Sequence, residues 1–508
     1  MEPNTTLSAV TDTSGANFNR AALRNSKISL SVKLAYSAGA VVEGMMSALI
    51  NTFLLFYVTT VCGMSAVLAG AAIATGLVVD AVADPLIGSA SDNLHSRFGR
   101  RLPFMLIALP VIACSFIAIF SLPDWSNQTA MFILLAFLSM CIRTSISAFH
   151  LPFLTIAAEL TDDHVERSRI MAFNWGFAMI GALSGISIAF SFFFNGPGGL
   201  AHREMYTPFA LTLSLLVLLA GVISMRAVYL TRDRQHLPPT MQTSLIRRLV
   251  PEVIELFRNR SFRLLFGAAL LFFIAFGVTQ SLALHVNTFF WHLESGKVQL
   301  VTVAFIAGTL IGAPLTGPII SRNEKRTSVL IGISGWVIAQ IAPASLRLLG
   351  LLPLEGHALS VFLALVAGMG GALMALAAIA FTSMMADAAD EHEYIFGARR
   401  EGLFYAGWAF AGKTAGSIGI LLSGMLLTAI NFPVEKTKVA GIHITLPESM
   451  VHQLGFIYGP GAGLLSLLGA IFLMQYKLTR AKHSGMVSEL RERRQRDETK
   501  PNSVFSAT

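Results

Sequence analysis

Twelve stretches of predominantly apolar residues, separated by polar or charged segments, take up most of this 508-residue chain. They run near 31–60, 66–92, 103–122, 129–158, 169–194, 206–229, 263–292, 298–320, 327–350, 357–389, 401–430 and 450–477. A helix of about 20 apolar residues crosses the hydrocarbon of a bilayer. The pattern predicts an all-α membrane protein with twelve transmembrane helices. Segments beyond the minimum length predict tilt or extension past the bilayer. Composition agrees: 54% of residues are apolar and 13% charged, against roughly 25% charged in soluble domains. The mean hydropathy is +0.64.

Lysine and arginine placement sets the orientation. With both termini inside, cytoplasmic segments hold 30 of the 37 basic residues. Arg203, Lys297, Arg347, Lys436 and Lys438 lie outside, and Arg143 and Lys413 lie within spans. This bias predicts N-in and C-in. It also accounts for the net charge of +8, since no basic face with aromatic readers points to nucleic acid. Residues 1–30 read as a polar N-terminal tail without a signal-peptide core. Residues 31–229 hold the first six spans and 230–262 a central cytoplasmic loop, whose Ser244–Phe257 half suits a surface amphipathic helix. Residues 263–477 hold the other six spans, and 478–508 form a basic tail. Cys62, Cys114 and Cys141 lie in or beside apolar segments without metal-like spacing, which predicts packing rather than disulfides.

Asp80 and Asp84 lie four residues apart inside the apolar stretch Ala66–Ala90, and Pro85 follows. That spacing puts both carboxylates on one helix face. Carboxylates in hydrocarbon are costly, so this face is expected to meet a partner or a water-filled cavity. Pro85 lacks an N–H and frees the Ala81 carbonyl. Two carboxylates and a carbonyl make an all-oxygen site for a hard cation such as Na⁺, or for a proton. The plainer alternative is a cap or a pairing with a neighbour. Lys413, in the run GWAFAGKTAGSIG, calls for a carboxylate partner, with snorkelling to the interface as its alternative. Arg143, Ser147 and His150 fall at i, i+4 and i+7, one stripe of span four. No HExxH, GxSxG or phosphate-cradling loop occurs, and no enzyme activity is expected.

Six spans on each side of a cytoplasmic loop suggest the major facilitator arrangement, two pseudo-symmetric halves with a site at the midplane. A weak echo links Gly88-Ser-Ala-Ser-Asp92 and Gly99-Arg100-Arg101 with Gly312-Ala-Pro-Leu-Thr316 and Lys325-Arg326. Four blocks are more specific: KLAYSAGA (Lys33–Ala40), DAVADPLIGSASDNLHSRFGRRLPF (Asp80–Phe104), HLPFLTIAAELTDDHVERSR (His150–Arg169) and DAADEHEYIFGARREGLFYAGWAFAGK (Asp387–Lys413). In this order they resemble the glycoside–pentoside–hexuronide:cation symporters, the melibiose permease family. The resemblance implies a secondary active symporter that moves a sugar, glycoside or uronide by alternating access in a bacterial inner membrane. Its partners would be a small-molecule substrate, the coupling Na⁺ or H⁺ and the bilayer, with no other cofactor and a monomeric state. Asp80 and Asp84 fall on the family's cation-ligating aspartates, Ser147 on a contributing hydroxyl and Lys413 on a neighbouring lysine.

The chain departs from the family at the sugar site. The acid of span one aligns with Gly44, next to Glu43; the acid of span four is His150; the aromatic position is Leu154; and the arginine of span five is Trp175. Glu43, Asn174 and Trp175 offer a rebuilt sugar site, and Arg143, His150 and Trp408 complete the candidate substrate set. The positive groups on span four open an alternative cargo, an amphipathic organic anion such as a lysophospholipid or a steroid acid. An antiporter or exporter is a further alternative. Asp92, Arg97, Arg100 and Arg101 in one half, and Asp387, Asp390, Arg399 and Arg400 in the other, are expected to form gate ion pairs at the cytoplasmic ends.

Overall fold

The computed structural model describes residues 28–94, 96–161, 163–196, 198–232, 254–397, 401–433 and 446–498. Residues 1–26 and most of Ser244–Phe257 lie outside that range. Among the described residues, twelve helices are long and apolar enough to cross a membrane. They are α1 (Leu30–Val61), α2 (Ala66–Ser91), α3 (Leu102–Ile119), α4 (Gln128–Ala157), α5 (Val165–Phe193), α6 (Arg203–Leu230), α7 (Arg260–Phe290), α8 (Ser295–Arg322), α9 (Lys325–Leu348), α10 (Gly356–Phe396), α11 (Leu403–Ala429) and α12 (Glu448–Met474). A polar helix, α13 (Arg480–Glu498), follows. The largest departure from the sequence expectation is α10, which continues past residue 389 as a charged extension to Phe396.

The two halves share a backbone device that their sequences hide. The outer end of α1 widens into a π turn, where Cys62 N–H donates to Tyr57 C=O at 2.9 Å and Met64 N–H to Val58 C=O at 2.9 Å. The outer end of α7 repeats it, with Trp291 N–H to Val286 C=O at 2.9 Å and Leu293 N–H to Asn287 C=O at 2.9 Å. The ends of α5 and α11 are a second such pair: Phe194 N–H donates to Ala189 C=O and Phe432 N–H to Leu427 C=O, both at 2.9 Å. Each bond satisfies a carbonyl that the end of an α-helix would otherwise orphan.

The chain forms two compact units. The first holds α1–α6 together with Gln280–Gln299 and Ile420–Met450; the second holds the rest of α7, α8 and α11 with α9, α10, α12 and α13. The outer ends of α7 and α11 join the first six spans for identifiable reasons. His285 is fully buried, with its Nε2 2.9 Å from Thr59 Oγ1. The same hydroxyl lies 2.7 Å from Leu55 C=O of its own helix. Phe56, Phe289 and Phe432 surround the pair. Interhelical hydrogen bonding thus accounts for His285. On α11, Gly424 stands so close to α2 that a Cβ would lie 2.2 Å from Ala66 C=O. The echo between Gly88 and Gly312 holds on one side only: a Cβ on Gly312 would collide with Ala372, whereas one on Gly88 would meet nothing within 4 Å.

Candidate functional site

The acidic pair is positioned by the packing of α2 on α4. Gly76 lies against the backbone of Ser139, where an added Cβ would come 2.6 Å from the carbonyl oxygen. One turn later, the same face brings Asp80 to α4, and Ser147 Oγ donates to its Oδ1 at 2.5 Å. Both residues are buried, 4% and 6% exposed. Asp84 is half-buried on the next turn, and the helix continues through Pro85. Among the described residues, no three His, Cys, Asp or Glu side chains converge as a metal cluster. A cation here would rest on the two carboxylates, the serine hydroxyl and neutral oxygens.

Arg143 occupies the turn between Ser139 and Ser147. Its Nη2 donates to Asn51 Oδ1 of α1 at 3.0 Å, and the charges of Asp80 and Glu43 act on its guanidinium. Glu43 is half-buried and accepts from Ser47 Oγ at 3.2 Å. The neighbouring Gly44 is a helix crossing. A Cβ there would sit 2.1 Å from Ala178 C=O of α5, and Gly181 returns the approach against Val41. The family's acid therefore has no room at residue 44, and Glu43 is the acid of α1 beside Arg143. Gly44→Asp is expected to destabilise the first unit by about 1–3 kcal/mol through forced backbone displacement. A melting temperature equal to that of the wild type would contradict this packing.

The other candidate residues are dispersed. Asn174 is buried beside the Tyr36 hydroxyl, which donates to Phe153 C=O. Trp175, the next residue on α5, is 43% exposed. His150 is half-buried, its ring 6.2 Å from that of Phe153. Trp408 packs in the second unit against Phe273 and Phe381, with centroids 5.2 and 5.4 Å away. Lys413, also in the second unit, is half-buried, and its carbonyl accepts from Ser417 Oγ at 3.0 Å.

At the cytoplasmic end of the first unit, Arg100 and Arg101 both reach Glu159, at 2.5 and 2.7 Å. Lys33 pairs with Glu166, and Arg169 lies 3.7 Å from the same carboxylate. Arg97 instead lays its guanidinium over Phe98 at 4.8 Å. The Asp92 side chain lies outside the described residues, as do Arg399 and Arg400. In the second unit, Lys325 holds Asp387 at 2.6 Å, and His483 of α13 lies 3.0 Å from Asp390 and 3.6 Å from Asp387. The echo between Arg100-Arg101 and Lys325-Arg326 thus has a physical basis. In each half, a cation at the start of the third helix ties down an acid near the end of the fourth. Sequence reasoning missed Glu159, Glu166, Lys33 and His483 as the partners. An acid at the C-terminal end of α4, where the helix dipole disfavours it, was the available signal for Glu159.

Residues 35–480 match the family described as MFS/sugar transport protein. The chain belongs to that family. The similarity to an uncharacterised symporter of Synechocystis is 26% identity over 92% of this chain and 98% of the relative. A glucuronide carrier protein homolog of Escherichia coli is 25% identical over 92% and 97%. Among solved structures, a D-xylose-proton symporter superposes with a TM-score of 0.59 at 16% identity, covering 88% of this chain and 98% of that one. The fold is that of the major facilitators, and the protein is a multi-pass component of the bacterial inner membrane. These relatives are transporters.

Proposed function

We propose that this transporter is a cation-coupled symporter that carries a sugar, glycoside or uronide by alternating access. The observation that supports it most is Asp80, a buried carboxylate on a membrane helix bonded to the Ser147 hydroxyl, with Asp84 on the next turn. Buried intramembrane acids mark ion and proton paths. Na⁺ or H⁺ bound there would neutralise the repulsion between the carboxylates and favour the state that accepts substrate. The resemblance to the symporters also implies a part in cation coupling for Lys413 of the second unit.

Charge favours a cation over an anionic cargo. Glu43, Asp80 and Asp84 outnumber Arg143 in this part of the first unit, and Arg143 already lies in the field of two of them. An amphipathic organic anion is therefore the lesser reading, and antiport or export lesser still. By likeness to the glucuronide carrier homolog, a uronide is the first substrate to try. A thermal-shift panel of methyl glycosides, phenyl glucuronide, a steroid acid and lysophosphatidylcholine, each with and without Na⁺ and at two pH values, tests the reading. Stabilisation by a glycoside or glucuronide, deepened by one cation, is expected; stabilisation by lysophosphatidylcholine alone would overturn it.

Arg143 also sets the strength of cation binding. A guanidinium charge several ångströms away opposes a second cation by ~1–2 kcal/mol at an effective dielectric of about 20. Arg143→Gln is expected to lower the cation concentration for half-maximal uptake about tenfold, with Arg143→Lys close to wild type. An unchanged cation dependence in Arg143→Gln would remove the residue from the site.

A further inference from the structure

The second unit contains a cavity of about 580 Å³ at its cytoplasmic end, which neither the gate pairs nor the cation site uses. Its walls come from the first turns of α7, the end of α10, the segment after α12 and one face of α13. Three cations line it: Arg260, Lys477 and Lys482. All three are exposed, and among the described residues none has an ion pair or a side-chain hydrogen-bond partner. Three other cations of α13 are engaged. Arg480 donates to the carbonyls of Ile320, Ser321 and Asn323 at the end of α8. His483 meets Asp387 and Asp390. Arg493 pairs with Glu489 at 2.7 Å and covers the ring of Tyr394. These contacts hold α13 in place, so the cavity is preformed. Of its two acids, Glu391 and Glu489, the second is neutralised by Arg493 and also accepts from the Tyr394 hydroxyl at 2.9 Å.

Leu264, Leu478 and Met486 add apolar lining, each beside one of the cations in sequence or one helical turn from it. Just before Lys477, α12 presents Phe472 and Met474 outward, 39% and 61% exposed on a membrane-spanning helix. The cations therefore lie where the lipid-facing surface of the span gives way to cytoplasm. A basic pocket at that depth is suited to an anionic headgroup, and this volume is within the range of small-molecule sites.

We propose that this cavity binds an anionic phospholipid of the inner leaflet. Its phosphate would be held by Arg260, Lys477 and Lys482, and its glycerol and upper acyl carbons would lie along Leu264, Leu478 and Met486. Occupancy would tie α7, α10, α12 and α13 together at their cytoplasmic ends. The inference does not depend on which substrate or ion the protein carries.

The test uses the full-length protein, delipidated in neutral detergent. Binding of dioleoyl phosphatidylglycerol, dioleoyl phosphatidylcholine and inorganic phosphate is measured by native mass spectrometry and by the melting temperature. One phosphatidylglycerol is expected to bind at least tenfold tighter than phosphatidylcholine, with inorganic phosphate competing at much higher concentration. The double variant Lys477→Gln/Lys482→Gln should lose roughly ten- to thirtyfold in affinity, from the two neutralised charges. Lys477→Arg/Lys482→Arg should retain the selectivity and shows that loss in the glutamine variant is not misfolding. Equal binding of the two lipids, or unchanged selectivity in the glutamine variant, would overturn the proposal. So would stabilisation by inorganic phosphate without any by phosphatidylglycerol, which would leave a free-anion site.

Discussion

Asp80→Asn is expected to abolish cation-driven accumulation of substrate while leaving the protein folded. The amide is nearly isosteric with the carboxylate, and its oxygen can still accept from Ser147 Oγ, which now donates at 2.5 Å. The contact of α2 with α4 at Gly76 and Ser139 is untouched. The variant loses the charge that draws a cation into a buried, low-dielectric position. Coupling free energies between ligands run to about 1–3 kcal/mol, or 5–150-fold in affinity, and without that coupling the accumulation ratio should fall to about one. Substrate counterflow, which needs no net cation movement, should persist. Measured together in proteoliposomes, the two assays separate a lost ion site from a lost protein. Undiminished accumulation would remove Asp80 from the coupling mechanism.

The second large effect is expected at Glu159. One carboxylate serves two arginines there, and the side chains are nearly sequestered: 12% exposed for Glu159, 10% for Arg100 and 6% for Arg101. The polarity of the helix ends makes the arrangement costly in isolation. The helix of α4 runs on past its apolar span to end at Glu159, and Arg101 caps the start of α3, so each charge sits at the end its helix dipole disfavours. The ion pair offsets both. Removing one partner of a buried pair leaves an uncompensated charge and costs about 3–5 kcal/mol. At about 2–4 °C per kcal/mol for a unit of this size, Glu159→Gln should lower the melting temperature by ~10 °C. Adding Arg100→Gln should recover part of the loss. A shift within one degree of wild type would show that these charges do not hold the cytoplasmic ends of α3 and α4 together.

The sequence was most informative where physics acts on single segments. The twelve spans are set by length and apolarity, and the basic residues orient them. The cost of Asp80 and Asp84 in hydrocarbon singles out α2 as the candidate functional helix. Contacts between distant helices were harder to read. Gly44 occupies the position of a family acid, but only the approach of Ala178 shows that no side chain fits there. Arg143 reads as a positive group available to a cargo until Asn51, 92 residues away in sequence, and the charges of Asp80 and Glu43 are seen around it. The cytoplasmic arginines were legible as ion-pair formers, but Glu159 lies 59 residues from Arg100 and no local pattern links them. The paired π turns carry no sequence signal, since Tyr57–Val61 and Val286–Phe290 share a backbone form and almost no side-chain chemistry.

In the proposed mechanism, movement of a cation through the Asp80 site drives uptake. Its most direct test is accumulation of a labelled glycoside or glucuronide in proteoliposomes under an inward Na⁺ gradient or an inside-alkaline pH gradient. One gradient is expected to raise internal substrate above the external concentration, and a matching ionophore to collapse it. Uptake that only equilibrates, indifferent to both gradients and to ionophores, would rule out cation coupling.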